Sequence, residues 1–419
     1  MKNNRTPEIR FLGYTGEWDQ RKLDSIVDRV KSYSLSRDVE TSEYTGYKYI
    51  HYGDIHTKVA DIIDEFSNLP NIKAGNYELL EKGDLVLTDA SEDYQGIATP
   101  AVITIDMPYK LVSGLHTIAL RPKQVDSLFL YYLINSSTFR KYGYRIGTGM
   151  KVFGISVTNL LKFEGMFPLL EEQTKIGNFL KQLDEMIGLH QQELAILKQT
   201  KQGFLKNMFP KEGESIPAFR FPEFTGDWDE CKLGEIMEVT SVKRIHQSDW
   251  TDEGVRFLRA RDIVANFKKQ KVSEYLYISV DRYEEYSTKS GKVSPGDLLV
   301  TGVGSIGVPM LVTNDEPIYF KDGNIIWFKN DQRINGEFFY YSFENGKTQK
   351  YIRDVAGIGT VGTYTIDSGK KTPISLPVFE EQTKIGNFFK QLDEIIAIHQ
   401  QELDALQETK KAFLQKMFV

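Results

Sequence analysis

Three glycines of this chain have the spacing of a nucleotide-binding loop. Gly302, Gly304 and Gly307 form G-x-G-x-x-G directly after the apolar run Leu298-Leu299-Val300-Thr301. In a dinucleotide fold such a loop opens a helix, whose first amides hold the pyrophosphate. Here Val308-Pro309-Met310-Leu311-Val312 follows and reads as another strand. The expectation is a glycine-rich hairpin loop whose backbone N–H groups can approach a ligand closely. Gly357-Ile358-Gly359-Thr360-Val361-Gly362 and Gly147-Thr148-Gly149-Met150-Lys151 read as similar loops.

Basic side chains gather near these loops. Arg140, Lys141, Arg145 and Lys151 are interleaved with Tyr142 and Tyr144. Further on come Arg256, Arg259 and Arg261, then Lys268, Lys269 and Lys271, and later Lys350 and Arg353. Arginine can read guanine edges with two hydrogen bonds, and lysine suits phosphates. Solvated surface charge accounts for such residues equally well one at a time. Arg259 or Arg261 can instead pair with Asp262 or another carboxylate.

Other chemistries find no residues. The single cysteine, Cys231, can make neither an internal disulfide nor a zinc cluster. No G-x-x-x-x-G-K-[ST] loop for ATP and no Asn-Pro-Pro-Tyr-like methyltransferase motif is present, and no His/Cys/Asp/Glu group has metal-ligand spacing. With 58 carboxylates in 419 residues, chance acidic pairs carry no weight. A net charge of -6 and a pI near 5.7 argue against a nonspecific nucleic-acid coat, though not against a reader with basic residues on one face. Hydrophobic content of 41% and charged content of 26% fit a globular protein. No apolar run reaches membrane-spanning length, and the N-terminal MKNNRTPEIRF lacks a signal-peptide core, so the cytoplasm is the expected location.

The elements that must position these residues are duplicated. Glu171–Phe209 reads EEQTKIGNFLKQLDEMIGLHQQELAILKQTKQGFLKNMF, and Glu380–Phe418 reads EEQTKIGNFFKQLDEIIAIHQQELDALQETKKAFLQKMF. Phe11–Leu23 (FLGYTGEWDQRKL) likewise matches Phe221–Leu233 (FPEFTGDWDECKL). Steps of four and three from Ile176 give Leu180, Leu183, Ile187, His190, Leu194, Leu197, Lys201, Phe204 and Met208. The second copy runs Ile385, Phe389, Leu392, Ile396, His399, Leu403, Leu406, Lys410, Phe413 and Met417. This seam predicts coiled-coil helices of roughly 57 Å each. His190 and His399 read either as a metal or proton site or as polar register devices. Lys201 and Lys410 are expected to lift their ammonium groups out along the seam edge. A pseudo-two-fold relation between the halves predicts antiparallel helices with one insert at each end.

The inserts, about 22–167 and 232–376, read as mixed α and β. Strands are expected at Leu85–Leu87, Ala101–Ile105, Leu298–Thr301, Pro309–Thr313 and Asn324–Lys329. Short helices are expected at Ser127–Asn135 and Asn335–Glu344. Traces of common ancestry align Tyr49–Ile55 with Phe257–Ile263, Gly83–Thr88 with Gly296–Thr301, and Phe129–Tyr132 with Phe338–Tyr341. A doubled frame around two dissimilar inserts suits one kind of job done on two targets.

At this point the chain resembles the specificity subunit of type I restriction–modification systems. The resemblance rests on Arg10-Phe11 through Trp18 and its twin Arg220 through Trp228. It also rests on Glu171–Ile176 with Leu183-Asp184 and its twin from Glu380, and on Gly296–Thr301 with Gly304, Ser305 and Gly307. In the first insert Thr88-Asp89-Ala90-Ser91 and Gly96 replace the tighter glycine loop. The resemblance implies an α+β fold: two mixed α/β target-recognition domains separated by two long antiparallel coiled-coil helices, with an internal pseudo-two-fold repeat. The segments would be 1–167 and 211–376 for the recognition domains and 168–210 and 377–419 for the spacer helices. Each domain would read one half of a split site in double-stranded DNA. The helices would set the gap and dock two modification (methyltransferase) subunits, and a restriction (endonuclease and translocase) subunit would join them. The chain itself would be non-catalytic and hold no cofactor. S-adenosylmethionine, ATP and Mg would belong to the partners.

The expected DNA contacts are Arg140, Lys141, Arg145 and Lys151 in the first domain. In the second they are Arg259, Arg261, Lys268, Lys269, Lys271, Gly304, Ser305, Lys350, Arg353 and Thr360. Glu185 and Glu394, on the outer helix face, are the expected partner contacts. Two other classes compete. A coiled-coil adaptor with two protein-binding domains fits the acidic pI, and a nuclease or methyltransferase with an unrecognised active site is the third.

Overall fold

The computed structural model describes residues 5–93, 96–149, 153–272, 274–357 and 362–419. The chain forms two units. One comprises residues 1–191 with 401–419, and the other comprises residues 192–400. Each therefore holds one insert, part of its own long helix and part of the other.

The long helices are Leu170–Asn207 and Phe379–Lys416, 38 residues each. Neither contains proline or a run of β-branched residues to interrupt it. Within the first unit Phe179 stacks edge-on against Phe413 at 5.0 Å, and Asp184 pairs with Lys410. His190 then faces Glu402 at 3.9 Å. Numbers rise on one helix as they fall on the other, so the pairing is antiparallel. The second unit repeats the pattern with Phe204–Phe388 and Lys201–Asp393. Ile176, Leu180, Leu183 and Ile187 are buried, as are Ile385, Phe389, Leu392 and Ile396, as the heptad spacing predicts.

The seam lysines depart from expectation. Lys201 does not lift away but pairs with Asp393 at 2.8 Å and Glu344 at 3.0 Å, mostly covered. Tyr341 donates to the same Asp393 at 2.9 Å. In the first unit Asp184 takes both Lys410 and the Tyr132 hydroxyl. Asp184 and Asp393 on the long helices thus each hold an ammonium that would otherwise need water, and each ties an insert to its long helix. Burial, then the neighbouring carboxylate, pushes both tyrosine hydroxyls up. The seam histidines each face a glutamate across the helix pair, His190 with Glu402 and His399 with Glu193 at 3.7 Å.

The repeated sequence motifs prove to be clamps. Arg10 grips the fully buried Glu172 with two bonds, 2.6 and 2.7 Å, and donates to the Gly16 carbonyl. Arg220 does the same with Glu381 and Gly226. Gln173 donates to the Pro168 carbonyl and accepts from the Asp126 amide, and Gln382 does so with Pro377 and Asn335. Gly177 and Gly386 allow a close approach of insert and long helix. A Cβ on either would lie within 3 Å of the backbone N of Phe129 or Phe338.

Each insert is built around two larger sheets, with two-stranded pairs beside them. In the first unit a five-stranded sheet runs Val27–Val30, Thr117–Pro122, Leu85–Thr88, Pro100–Ile103 and Ile62–Ile63. A four-stranded sheet runs Lys110–Ser113, Tyr47–Ile50, Asn71–Ile72 and Glu40–Thr41. The second unit has Glu238–Thr240, Ile325–Lys329, Leu298–Thr301 and Pro309–Leu311 in one sheet. Trp250–Thr251, Leu276–Ile278, Val255–Leu258 and Ile318–Phe320 form the other. The predicted helices occur at Ser127–Asn135 and Gly336–Glu344, started by side-chain caps from Asp126 and Asn335. Four predicted strands begin or end a residue or two away, at Leu85–Thr88, Pro100–Ile103, Pro309–Leu311 and Ile325–Lys329. Leu85, Val86, Leu87, Leu298, Leu299 and Val300 are wholly buried, which explains why these strands read as unbroken apolar runs. No helix among the described residues is long and apolar enough to cross a membrane.

Candidate nucleic-acid interface

The glycine loop lies where strand ends converge. The Thr301 amide donates to the Val308 carbonyl and the Gly307 amide to the Thr301 carbonyl, closing residues 302–306 into a hairpin loop. The Thr301 hydroxyl accepts from the Val308 amide and donates to the Ser305 carbonyl. Gly302 bridges outward, donating to the Asn324 carbonyl and accepting from the Tyr364 amide. A strand, Pro309–Leu311, follows the loop, so the loop opens no helix.

The first unit repeats this frame bond for bond. The Thr88 amide donates to Thr99, the Ala98 amide to Thr88, and the Thr88 hydroxyl to Gly96 while accepting from the Thr99 amide. Asp89 donates to the His116 carbonyl and accepts from the Ile155 amide, as Gly302 does in its place. Between the equivalent threonine and Ala98 or Gly307 lie residues 89–97 in the first unit against 302–306 in the second. The first loop is longer, and Ala98 adopts the left-handed conformation (φ 52°) that Gly307 (φ 78°) takes without a Cβ.

The expected contact residues differ in exposure and in pairing, and Arg261 is both exposed and paired. Gly304 and Ser305 sit exposed at the loop tip, and Lys141, Arg145, Arg261, Lys268, Lys271 and Arg353 are exposed. Arg145 rests its guanidinium over the Tyr142 ring at 5.7 Å. Several are engaged. Arg259 bonds Asp262 at 3.1 Å and reaches the Glu274 carboxylate at 3.2 Å and carbonyl at 2.8 Å. Arg261 shares Glu274 at 2.8 Å, and the two guanidiniums hold that carboxyl below its ordinary range. Lys350 pairs with Glu212 at 2.6 Å, and Lys269 reaches the Asp393 carbonyl at 3.4 Å. Arg140 is the most withdrawn. It donates to the Ile97 carbonyl at 2.5 Å and the Ala98 carbonyl at 3.4 Å, and burial pulls its pKa down to about 10. Lys151 and Thr360 lie outside the described residues.

The strand-end edge also gathers residues absent from that set. In the second unit Leu258 accepts from the Lys321 amide, and Arg244 bonds Asp322 at 2.8 Å, two residues before Asn324. In the first unit the edge is imidazole and phenol. Tyr52 lies 4.5 Å from the His51 ring, 5.3 Å from His116 and 5.9 Å from His56. A cleft of about 620 Å³ opens there, lined by Tyr52, His56, Ser91, Asp93 and His116. Three of the six histidines share this edge, a clustering that the sequence holds only across sixty residues.

The outer faces of the long helices carry Glu185 and Glu394, both exposed. Beside them lie exposed apolar side chains at equivalent places, Met186 and Leu189 in the first unit and Ile395 and Ile398 in the second.

Residues 15–199 and 225–408 each match the Type I restriction modification DNA specificity domain. The chain is 26% identical over 99% of its length to the type I restriction enzyme MjaVIII specificity subunit of Methanocaldococcus jannaschii, covering 95% of that protein. It is 23% identical over 95% of its length to the putative MjaX specificity subunit of the same organism, covering 92% of it. The crystal structure of a type I restriction–modification S subunit from M. genitalium shares the fold, with a TM-score of 0.60 at 17% identity over 99% of both chains. The chain thus belongs to the type I restriction–modification DNA specificity family, as a non-catalytic subunit that selects the DNA sequence.

Proposed function

We propose that the two units read the two halves of a split double-stranded DNA site, each through the loop edge described above. The observation that carries this reading is the identical hydrogen-bond frame holding loops of different length and chemistry. A frame copied faithfully while its tip diverges is what two readers of unlike targets need. The exposed basic set, Lys141, Arg145, Arg261, Lys268, Lys271 and Arg353, would supply phosphate and base contacts around the loops. The recognition domains are 1–167 and 211–376, and the spacers 168–210 and 377–419.

The partners in this reading are two modification (methyltransferase) subunits and a restriction subunit, in the cytoplasm. Equivalent apolar pairs next to Glu185 and Glu394 support two copies of one partner, since duplicated surfaces suit duplicated ligands. S-adenosylmethionine, ATP and Mg belong to those partners. The test is the methylation pattern of the host genome with and without this chain. A split motif that vanishes on deletion is expected, and an unchanged pattern would favour the adaptor reading instead.

A further inference from the structure

We infer that Arg140 acts on DNA only through the first recognition loop, whose returning end it fixes, and that Gln349 is its counterpart in the second unit. The inference rests on the proposed DNA reading and assigns the residues that position its loops.

The two side chains occupy the same place in the fold. Arg140 lies on the helix Ser137–Ile146 and its amide donates to the Ser136 carbonyl. Gln349 lies on the helix Gly346–Ala356 and its amide donates to the Asn345 carbonyl. Each then turns to the residue that ends the loop. Gln349 Nε2 donates to the Gly307 carbonyl at 2.9 Å, as the Arg140 guanidinium does to Ile97 and Ala98. Gly307 and Ala98 are equivalent, because each returns its amide to the threonine that begins the loop.

The two residues differ in chemistry as their loops differ in need. Gly307 takes its left-handed conformation freely, and a neutral amide suffices to hold it. Ala98 pays for its Cβ in that conformation, and the loop before it is longer. A guanidinium offers several donors in a fixed fork and can hold two successive carbonyls of the loop, whereas the Gln349 amide divides its donors between Gly307 and the Phe343 carbonyl at 2.6 Å. Its charge is covered, and burial draws its pKa down to about 10. A cation in that position spends its donors on the protein backbone, not on phosphate.

The experiment uses the full chain assembled with its modification subunits. Binding is measured to the cognate duplex, to duplexes with either half-site scrambled, and to one with both scrambled, over a range of salt. Arg140→Ala should cut the preference for the intact first half-site by about tenfold or more, the effect of a mismatch. It should leave the second half-site preference, the affinity for the doubly scrambled duplex and the salt slope unchanged. Arg140→Gln, which installs the second unit's solution, should restore much of the preference. Gln349→Ala should relax the second half-site alone.

Equal weakening on every sequence, with a salt slope shallower by about one, would make Arg140 a direct phosphate contact and overturn the inference. Full discrimination in Arg140→Ala would do the same. If Arg140→Ala does not fold, Gln349→Ala decides, and unchanged discrimination there overturns it. A wild-type complex with no preference among the four duplexes would instead sink the DNA reading beneath it.

Discussion

The two loop edges share a hydrogen-bond frame and little else. In the first unit the edge offers Tyr52, His56 and His116 around a cleft, with Asp89 and Asp93 close by. In the second it offers Arg244, Arg259 and Arg261, partly neutralised by Asp322, Asp262 and Glu274. The helix starts after Ile50 and Leu258 make the same point. Asp54 and Asp262 cap them alike, accepting the backbone amide of His51 at 2.9 Å and of Arg259 at 2.8 Å. One cap residue is an imidazole and the other a guanidinium. The edges thus differ in side chains and in loop length, while the clamps Arg10–Glu172 and Arg220–Glu381 are copies. In the proposed reading the frame carries stability and the edge carries choice.

Exchanging edges should have the largest effect. Replacing residues 232–370 by a second copy of 22–160 should convert an asymmetric split site into a palindromic one built from the first half-site. Methylation mapping checks this, and retention of the asymmetric site would break the comparison at its root. A change to the frame alone should leave both half-sites intact but move them. Four residues inserted after Gln192 and after Gln401 would lengthen each helix by about 6 Å. The gap should grow by about two base pairs at roughly 3.4 Å each. An unchanged gap at full activity would remove the spacer role.

The clamps predict equality where the edges predict difference. Arg10→Ala and Arg220→Ala each strand a fully buried glutamate, a loss of about 3–5 kcal/mol. Denaturant unfolding should show similar losses for both, and a large inequality would mean that the halves are not energetic equivalents. At the second edge Arg261→Ala should cost about 1–3 kcal/mol of binding and relax one base position. Lys268→Ala and Lys271→Ala should instead weaken all sequences alike. Because Arg261 already shares Glu274 with Arg259, Glu274→Gln should raise affinity for any duplex. Unaltered specificity in Arg261→Ala would take that residue out of the interface.

How much of this was legible in the sequence follows from which interactions repeat. The duplicated helices, the seam and the motif pairs were visible because both copies keep the residues that pack and clamp. Strands such as Leu85–Thr88 and Leu298–Thr301 were visible because burial on both faces makes them uniformly apolar. The edge was not. Nothing in the types of Arg140, Lys141 and Arg145 says that the first turns inward while the others stay exposed, because that depends on which helix face meets the loop. Lys201 and Lys410 looked like surface residues because their aspartate partners lie far along the chain. Likewise the imidazole edge is assembled from His51, His56 and His116, which only sheet pairing brings together.

The smallest effect lies in the two caps, of which only the first responds to acid. His51 Nδ1 accepts the Gly53 amide at 3.1 Å, so it must be unprotonated there. Burial first, then the Arg37 guanidinium, lowers its pKa below the ordinary 6.5, against the opposing pull of Asp54 and Glu40. The unfolded chain therefore binds a proton at higher pH than the folded one. The cap's contribution is complete above about pH 6.5 and is lost as pH falls toward the depressed value, with a slope no steeper than about 1.4 kcal/mol per pH unit for one proton. Arg259 does not titrate in this range, so its cap offers no such loss. Ring-carbon NMR of labelled histidine should show His51 titrating below 6.5. His51→Asn keeps an acceptor for the Gly53 amide and removes the titration. That variant should lose less thermal stability than wild type between pH 7.5 and 5.5, while Arg259→Asn should leave the acid response as it was. A His51 ring that titrates at or above 6.5, or equal acid losses in wild type and His51→Asn, would show that the two caps respond alike and that the difference between the edges does not reach their energetics.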